Sequence, residues 1–321
     1  MSSLVDRREV QKLLVIAGAL RGGLVDALAA PGGYTAEELA ARAGTDRRAT
    51  RVVLDALMDI GVVSDDGGRF RLTEEARRHL IDPGPDLERD SILHQTSIVR
   101  GWLELPQILR EGRPPEERGG GQGDLRAFVR TMAEGDPAVL EELVDRCLAY
   151  AGDPAPRTVL DAGGAVGHVA LAFARRGIEA TVCDRAEVLE EAVRYLEERG
   201  EAGRVGLVAC DFREDLPPGP FDLVYLGNVY HIYGPDTNYS VTRRVFATLS
   251  PGGVIAIRDF VYERSSRSAM FAVNMLQATQ DGGVWREAEF REWLTRAGFV
   301  DVRIVDLEHS ANQLITGRRP L

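Results

Sequence analysis

No apolar run in this 321-residue sequence approaches the ~20 residues needed to cross a bilayer. Met1 to Val10 carries charges where the apolar stretch of a secretory signal would begin, so neither membrane insertion nor export is expected and the chain is placed in the cytoplasm. Cysteine and histidine are scarce. The three cysteines, Cys147, Cys183 and Cys210, and the five histidines include no pair at Cys-x-x-Cys or His-x-x-x-His spacing, so neither a disulfide framework nor a metal site is predicted. Cys183 and Cys210 sit near the ends of two apolar runs and read as buried small hydrophobes, with a reactive thiol as the alternative. Basic charge is short as well. A net charge of -11 repels a phosphate backbone, a local basic patch apart, and favours a small-molecule partner over nucleic acid. What is present, 44% hydrophobic and 28% charged residues, is ordinary globular composition with length enough for two cores.

The stretch Thr35-Ala36-Glu37-Glu38 opens a short amphipathic helix in capping-box fashion, and Gly44 closes it. A second helical period runs from about Arg48 to Ile60 and stops at Gly61. Val62 to Ser64, the turn Asp65 to Gly68, and Arg69 to Leu72 then form strand, turn and strand. Helix, turn, helix and hairpin make a winged-helix pattern, whose second helix carries Arg47, Arg48 and Arg51 where a DNA reader would need them. Tyr34 to Leu80, however, holds eight arginines and no lysines against nine Asp and Glu, without the basic excess that phosphate binding requires. A dimerisation module is the better reading. A helix over Leu93 to about Leu109, an exposed loop over Glu111 to Gly123, and helices through Phe128 to Met132 and Ala138 to Tyr150 follow, before Pro154-Ala155-Pro156 marks a boundary. The expected organisation is a winged-helix domain over 1–100, connecting helices over 101–153 and a catalytic domain over 154–321.

From Arg157 onward, apolar runs alternate with helical periods: Thr158 to Leu160, Ala180 to Cys183, Val205 to Ala209, Leu223 to Leu226 and Val254 to Ile257. This rhythm predicts an α/β fold with a parallel, Rossmann-like sheet covered by helices on both faces. Val302 to Val305 and Gln313 to Thr316 are separated by a link too short for a helical crossover, so an antiparallel hairpin closes one edge.

Between the first of these strands and the helix His168 to Arg176 lies Asp161-Ala162-Gly163-Gly164-Ala165-Val166-Gly167, a glycine turn where backbone can approach a ligand at a helix N-terminus. Asp184 follows Gly164 by twenty residues and ends the second strand, where a carboxylate can accept two ribose hydroxyls. A dinucleotide enzyme would use the same features, and a glycine turn can also serve tight packing alone. Three further features separate the alternatives. Ala162 occupies the first glycine position of G-x-G-x-x-G, Asp211-Phe212 ends the third strand where it could meet an adenine, and the antiparallel edge departs from an all-parallel dinucleotide fold.

With these motifs in order, the chain resembles the metal-independent small-molecule O-methyltransferases, which join a winged-helix dimerisation domain to a Rossmann-like catalytic domain. The likeness spans nearly the whole chain and includes Leu24 to Leu28, the winged helix, Asp161 to Gly167, Asp211-Phe212, Asn228-Val229-Tyr230-His231, Leu249 to Gly253 and Glu287 to Phe290. It implies S-adenosyl-L-methionine (SAM) as cofactor, S-adenosyl-L-homocysteine (SAH) as product, no metal, and a homodimer. It implies cofactor contacts at Asp161, Gly163, Gly164, Gly167, Asp184, Arg185, Asp211, Phe212 and Asn228. His231 corresponds to the family's general base and Asp259 to its orienting acid, with a strand-end carboxylate paired to Arg258 as the alternative role for Asp259. Met132, Phe271, Asn274, Met275, Gln277 and Trp285 fall at acceptor-pocket positions, although a methionine at helical spacing is more often core. Two departures stand out: His231-Ile232-Tyr233 replaces the common His-Asp-Trp, and Trp285 falls where plant members carry a further acid.

The expected function is therefore methyl transfer to a phenolic or enolic hydroxyl of an aromatic or polyketide-like metabolite. The alternatives are N- or C-methylation or a non-methylating reaction in the same pocket, and a ligand-sensing DNA-binding regulator.

Overall fold

In the computed structural model, which describes residues 6–84, 86–115 and 137–321, two compact units divide the chain into residues 1–100 and 101–321. The first unit contains α1 (Arg7–Arg21), α2 (Leu24–Ala29), α3 (Ala36–Ala43), α4 (Arg47–Asp59), the antiparallel pair β1 (Val63–Asp65) and β2 (Phe70–Leu72), α5 (Glu74–Leu80) and most of α6 (Arg89–Trp102). The capping box forms as the sequence predicts: Thr35 Oγ1 accepts from Glu38 N at 3.2 Å, and Glu38 Oε2 accepts from Thr35 N at 2.8 Å. Its loss is measurable. Thr35→Ala should cost about 1 kcal/mol of stability, read as a lower denaturant midpoint at an unchanged m-value. Leu39, Leu54, Leu57 and Phe70 are fully buried and tie the helices to the hairpin. Of the arginines placed for DNA reading, Arg47 pairs with Glu37 at 3.2 Å and Arg51 with Asp55 at 3.0 Å.

The single helix expected over Leu93 to Leu109 is instead two, because the chain turns after Trp102 and α7 (Leu105–Glu111) starts afresh with Pro106 in its first turn. Proline is favoured there, since a helix's first N–H groups have no intrahelical partner. The helix expected over Phe128 to Met132, with Met132 itself, lies outside the described residues. The second unit continues with α8 (Pro137–Ala151), β3 (Thr158–Ala162), α9 (His168–Arg175), β4 (Glu179–Asp184), α10 (Ala186–Glu198), β5 (Gly206–Ala209) and β6 (Phe221–Gly227). A single 3₁₀ turn (Tyr230–Ile232) then leads to α11 (Pro235–Thr248), β7 (Leu249–Asp259), α12 (Ser268–Ala278), α13 (Glu287–Ala297), β8 (Val300–Asp306) and β9 (Gln313–Arg318).

The seven strands lie in the order β5-β4-β3-β6-β7-β9-β8. All pairs from β5 to β7 are parallel, and β9 runs antiparallel between β7 and β8, so the expected hairpin does close the edge. Strand alternation divides the core by face. Val159, Tyr225, Ala256 and Leu314 pack on one side with α8, α9 and α10; Leu160, Val224, Ile257 and Ile315 pack on the other with α11 and α13. Every parallel strand therefore delivers its C-terminal loop to the same edge, where Asp161, Asp184, Asp211, His231 and Asp259 all fall. Among the described residues no helix is long and apolar enough to cross a membrane.

Candidate active site

The glycine turn leaves β3 with Gly163 at φ +75°, a conformation that L side chains rarely adopt. Any Cβ on Gly164 would lie 2.6 Å from the Asp161 carboxyl carbon, so backbone here passes directly over that acid. Asp161 is 1% exposed; its Oδ2 accepts from Ala170 N at 3.2 Å, while Oδ1 is buried without a partner among the described residues. Burial pushes its pKa up to about 7. The sign follows from proton uptake: the folded state keeps this proton longer than the unfolded chain. This group's contribution to stability is present at low pH and is lost as pH rises from about 4 towards 7. Thermal melts of the ligand-free protein should fall across that interval, and Asp161→Asn should flatten the fall.

Asp184, at the end of β4, accepts from Ala165 N through Oδ2 at 2.9 Å and from Arg185 N through Oδ1 at 2.7 Å. The turn and the acid thus fix each other, with Ala165 held at φ +50°. Burial raises the Asp184 pKa against these two hydrogen bonds. The Arg185 guanidinium pairs with Glu187 at 3.1 Å, so this residue meets Asp184 through its backbone. Asp211 follows β5, but its carboxylate is already chelated by Arg213: Nε lies 2.8 Å from Oδ1 and Nη2 2.5 Å from Oδ2. The guanidinium holds the Asp211 pKa below the carboxylate range. Phe212 is buried, packs edge-on to Tyr233 at 6.0 Å, and would lie 3.1 Å from a Cβ at Gly163. Phe212 therefore roofs the glycine turn.

The cysteines require a correction. Cys183 in β4 and Cys210, just beyond β5, form a disulfide with Cα atoms 5.7 Å apart. Short-motif spacing misses it because α10 carries the chain from one strand to its parallel neighbour, which places the two strand ends side by side at a separation of 27 residues. A thiol count in denaturant should give one before reduction, from buried Cys147, and three after.

At the other end of the edge, His231 sits on the 3₁₀ turn and is 8% exposed. Its Nδ1 lies 2.7 Å from Asp259 Oδ1, and its backbone N–H donates to Asp259 Oδ2 at 3.1 Å. One carboxylate thus fixes both the backbone and the ring. An Nδ1–H donated to Asp259 leaves the neutral ring's lone pair on Nε2. Arg258 points away, towards Asn312 at 3.2 Å and Ser310 at 3.4 Å, which rules out the alternative pairing with Asp259. Phe271 of α12 meets the His231 ring edge-on at 4.9 Å and packs on Phe260 at 4.3 Å. Further along α12, Gln277 donates to Asn274 at 2.7 Å, and Met275 and Gln277 are buried. Trp285 turns its indole N–H to the Tyr230 carbonyl at 2.8 Å. Asn228, at φ +57°, donates its backbone N–H to Arg258 O at 2.8 Å and turns the chain from β6 into the histidine loop.

An O-methyltransferase domain model matches residues 127–300, more than half of the chain, and an O-methyltransferase dimerisation domain model matches residues 12–82. The chain belongs to the O-methyltransferase family. Among curated relatives, this methyltransferase is 27% identical to a 3-hydroxy-5-methyl-1-naphthoate 3-O-methyltransferase of Streptomyces sahachiroi, over 95% of this chain and 91% of that one. It is 29% identical to the tetracenomycin polyketide synthesis 8-O-methyl transferase TcmO of Streptomyces glaucescens, over 88% of this chain and 86% of that one. The solved structure of PigF with SAH shares the fold at a TM-score of 0.82, with 22% identity and coverage of 98% and 100%. The enzyme is a SAM-dependent O-methyltransferase.

The fold of the methyltransferase thus brings together the glycine turn, Asp184, Asp211 and Phe212 at one end of the strand edge, and His231, Asp259, Phe271 and Phe260 at the other. Arg213 carries no sequence signal of its role, since it lies two residues from Asp211 and reads in isolation as a solvated charge; nor do Asn238 and Thr242, polar residues on the buried face of α11.

Proposed function

We propose that this methyltransferase transfers a methyl group to a phenolic or enolic hydroxyl of a small aromatic or polyketide-like acceptor, with His231 as general base and Asp259 as its orienting partner. The observation that carries the reading is the buried His231–Asp259 contact at 2.7 Å. Bound SAM supplies an electrophilic methyl on a sulfonium. The protein's part is alignment and proton removal. Asp184 would hold the ribose hydroxyls and Phe212 the adenine face, with Asp211 presenting a carboxylate edge that Arg213 keeps ionised and fixed. Gly163, Gly164 and Gly167 let backbone approach, with the Asp161 carboxyl, whose Oδ1 has no partner among the described residues, buried beneath the turn. His231 Nε2 takes the acceptor proton, and Asp259 stabilises the resulting imidazolium. Phe260 and Phe271 give the base an apolar aromatic flank that suits a flat ring and keeps water away.

The printed activities of the two Streptomyces relatives, on a hydroxynaphthoate and in tetracenomycin synthesis, support this acceptor class. The dimerisation domain supports a homodimer as the working form. The test is incubation with methyl-deuterated SAM and a panel of phenols that includes 3-hydroxy-5-methyl-1-naphthoate, followed by mass spectrometry. One labelled methyl on oxygen is expected. Label on carbon or nitrogen, or no label despite calorimetric SAM binding, overturns the acceptor assignment.

A further inference from the structure

The turn that carries His231 is three residues long, with one short-range bond of its own, from Ile232 N to Val229 O at 3.1 Å. A lone 3₁₀ turn has little intrinsic stability, and a buried one must satisfy its carbonyls elsewhere. Here three partners come from two segments, the loop before α13 and the helix α11. Gly283 N donates to His231 O at 3.0 Å, and Trp285 Nε1 donates to Tyr230 O at 2.8 Å. The third partner is Asn238, whose Nδ2 lies 2.9 Å from Tyr230 O and 3.0 Å from Tyr233 O. Both hydrogens of one amide are therefore used to tie the two ends of the histidine turn together.

Asn238 is an unexpected residue for its place. It is 1% exposed on α11, next to a face built from Val241 and Val245, where an apolar side chain would favour both helix formation and burial. One turn further on, Thr242 is 0% exposed and donates to Asn238 O at 2.7 Å. Its single hydrogen is thereby committed, so the 2.9 Å contact with Tyr230 is one in which the tyrosine hydroxyl donates. The polar pair thus grips the turn by two backbone carbonyls and one side chain.

We infer that Asn238 is a positioning residue for the methyl-transfer step: its amide, backed by Thr242, holds the Tyr230–Tyr233 turn so that the His231 ring meets Asp259 and presents Nε2 to the acceptor. The inference rests on the general-base reading of His231. No other side chain of this size offers two N–H donors in a fork, and an aspartate would set oxygens against the two carbonyls.

The test is a double-mutant cycle of Asn238→Ala and His231→Ala, assayed with the panel phenol that turns over fastest, together with proton NMR of the SAH-loaded enzyme. In the wild type, the Nδ1 proton shared with Asp259 should give a downfield signal that His231→Ala removes. Asn238→Ala should lower kcat by about 10- to 100-fold with SAM affinity within about twofold of wild type, and should broaden that proton by loosening the ring. In the His231→Ala background it should cost nothing further. Full kcat with a sharp signal in Asn238→Ala, or losses that multiply in the double mutant, overturns the inference while leaving the base intact. Wild-type turnover in His231→Ala removes the base and the inference with it, a pattern distinguishable from the others. The NMR signal needs no acceptor. If Asn238→Ala does not fold, Trp285→Phe removes the other donor to Tyr230 O; a smaller kcat loss, again absent without His231, is expected, and a multiplying loss overturns the inference.

Discussion

His231→Ala should lower kcat by about 10²- to 10⁴-fold while SAM affinity stays at the wild-type level, because the ring follows β6 and meets the end of β7, away from the glycine turn after β3. A second readout separates a lost base from a damaged pocket. A phenol has a reference pKa of ~10, so it ionises unaided as pH rises, and the deficit of the alanine variant should shrink between pH 7 and 10. A deficit constant with pH would mean that the ring merely packs. Asp259→Asn should be nearly as severe. Oδ2 accepts from His231 N, and Oδ1 accepts from Phe260 N at 2.8 Å as well as meeting the ring, so whichever way the amide turns its NH₂ opposes a backbone N–H. One orientation releases the turn at His231 N, and the other sets the NH₂ against Nδ1 and favours the tautomer with the proton on Nε2.

How much of this was legible beforehand differs from residue to residue. The capping box at Thr35, the strands of the sheet and the turn from Asp161 to Gly167 depend on local spacing, and local spacing is what a sequence displays. His231 and Asp259 stand 28 positions apart and meet because β6 and β7 are parallel neighbours that end together; family resemblance anticipated the pair where periodicity could not. The Cys183–Cys210 disulfide arises from the same geometry at β4 and β5, yet no short motif announces it. The break before α7 was missed because the apolar period of Leu93 to Leu109 continues through it, and only Pro106 hints at a new start. Asn238 and Thr242 were missed for the opposite reason. A polar residue in a helical period is assigned to the solvent face, and only packing shows that these two face inward onto backbone carbonyls.

Gly164→Ala should weaken SAM binding about 100-fold, and the cause is steric alone. Gly164 does not occupy the left-handed region, so alanine can adopt its backbone angles. The added carbon, however, would sit 2.6 Å from Asp161 Cγ and 2.7 Å from Oδ2. Asp161 has little room to yield: it stands at the end of a central strand, is 1% exposed, and is held by Ala170 N at 3.2 Å. Either that hydrogen bond breaks or the turn lifts. If the turn lifts, Ala165 N leaves Asp184 Oδ2, and the two features proposed to hold the cofactor come apart together. Overpacking of this kind costs about 1–3 kcal/mol, and losing a charge-assisted hydrogen bond adds to it, which reaches the two decades expected in Kd. The double variant Asp161→Ala with Gly164→Ala tells which contact is responsible. If the carboxylate is the obstacle, the pair should melt at a higher temperature than Gly164→Ala alone and recover part of the SAM affinity, as titration calorimetry would show. If the two losses add instead, the turn is intolerant of a side chain at Gly164 for a reason other than Asp161.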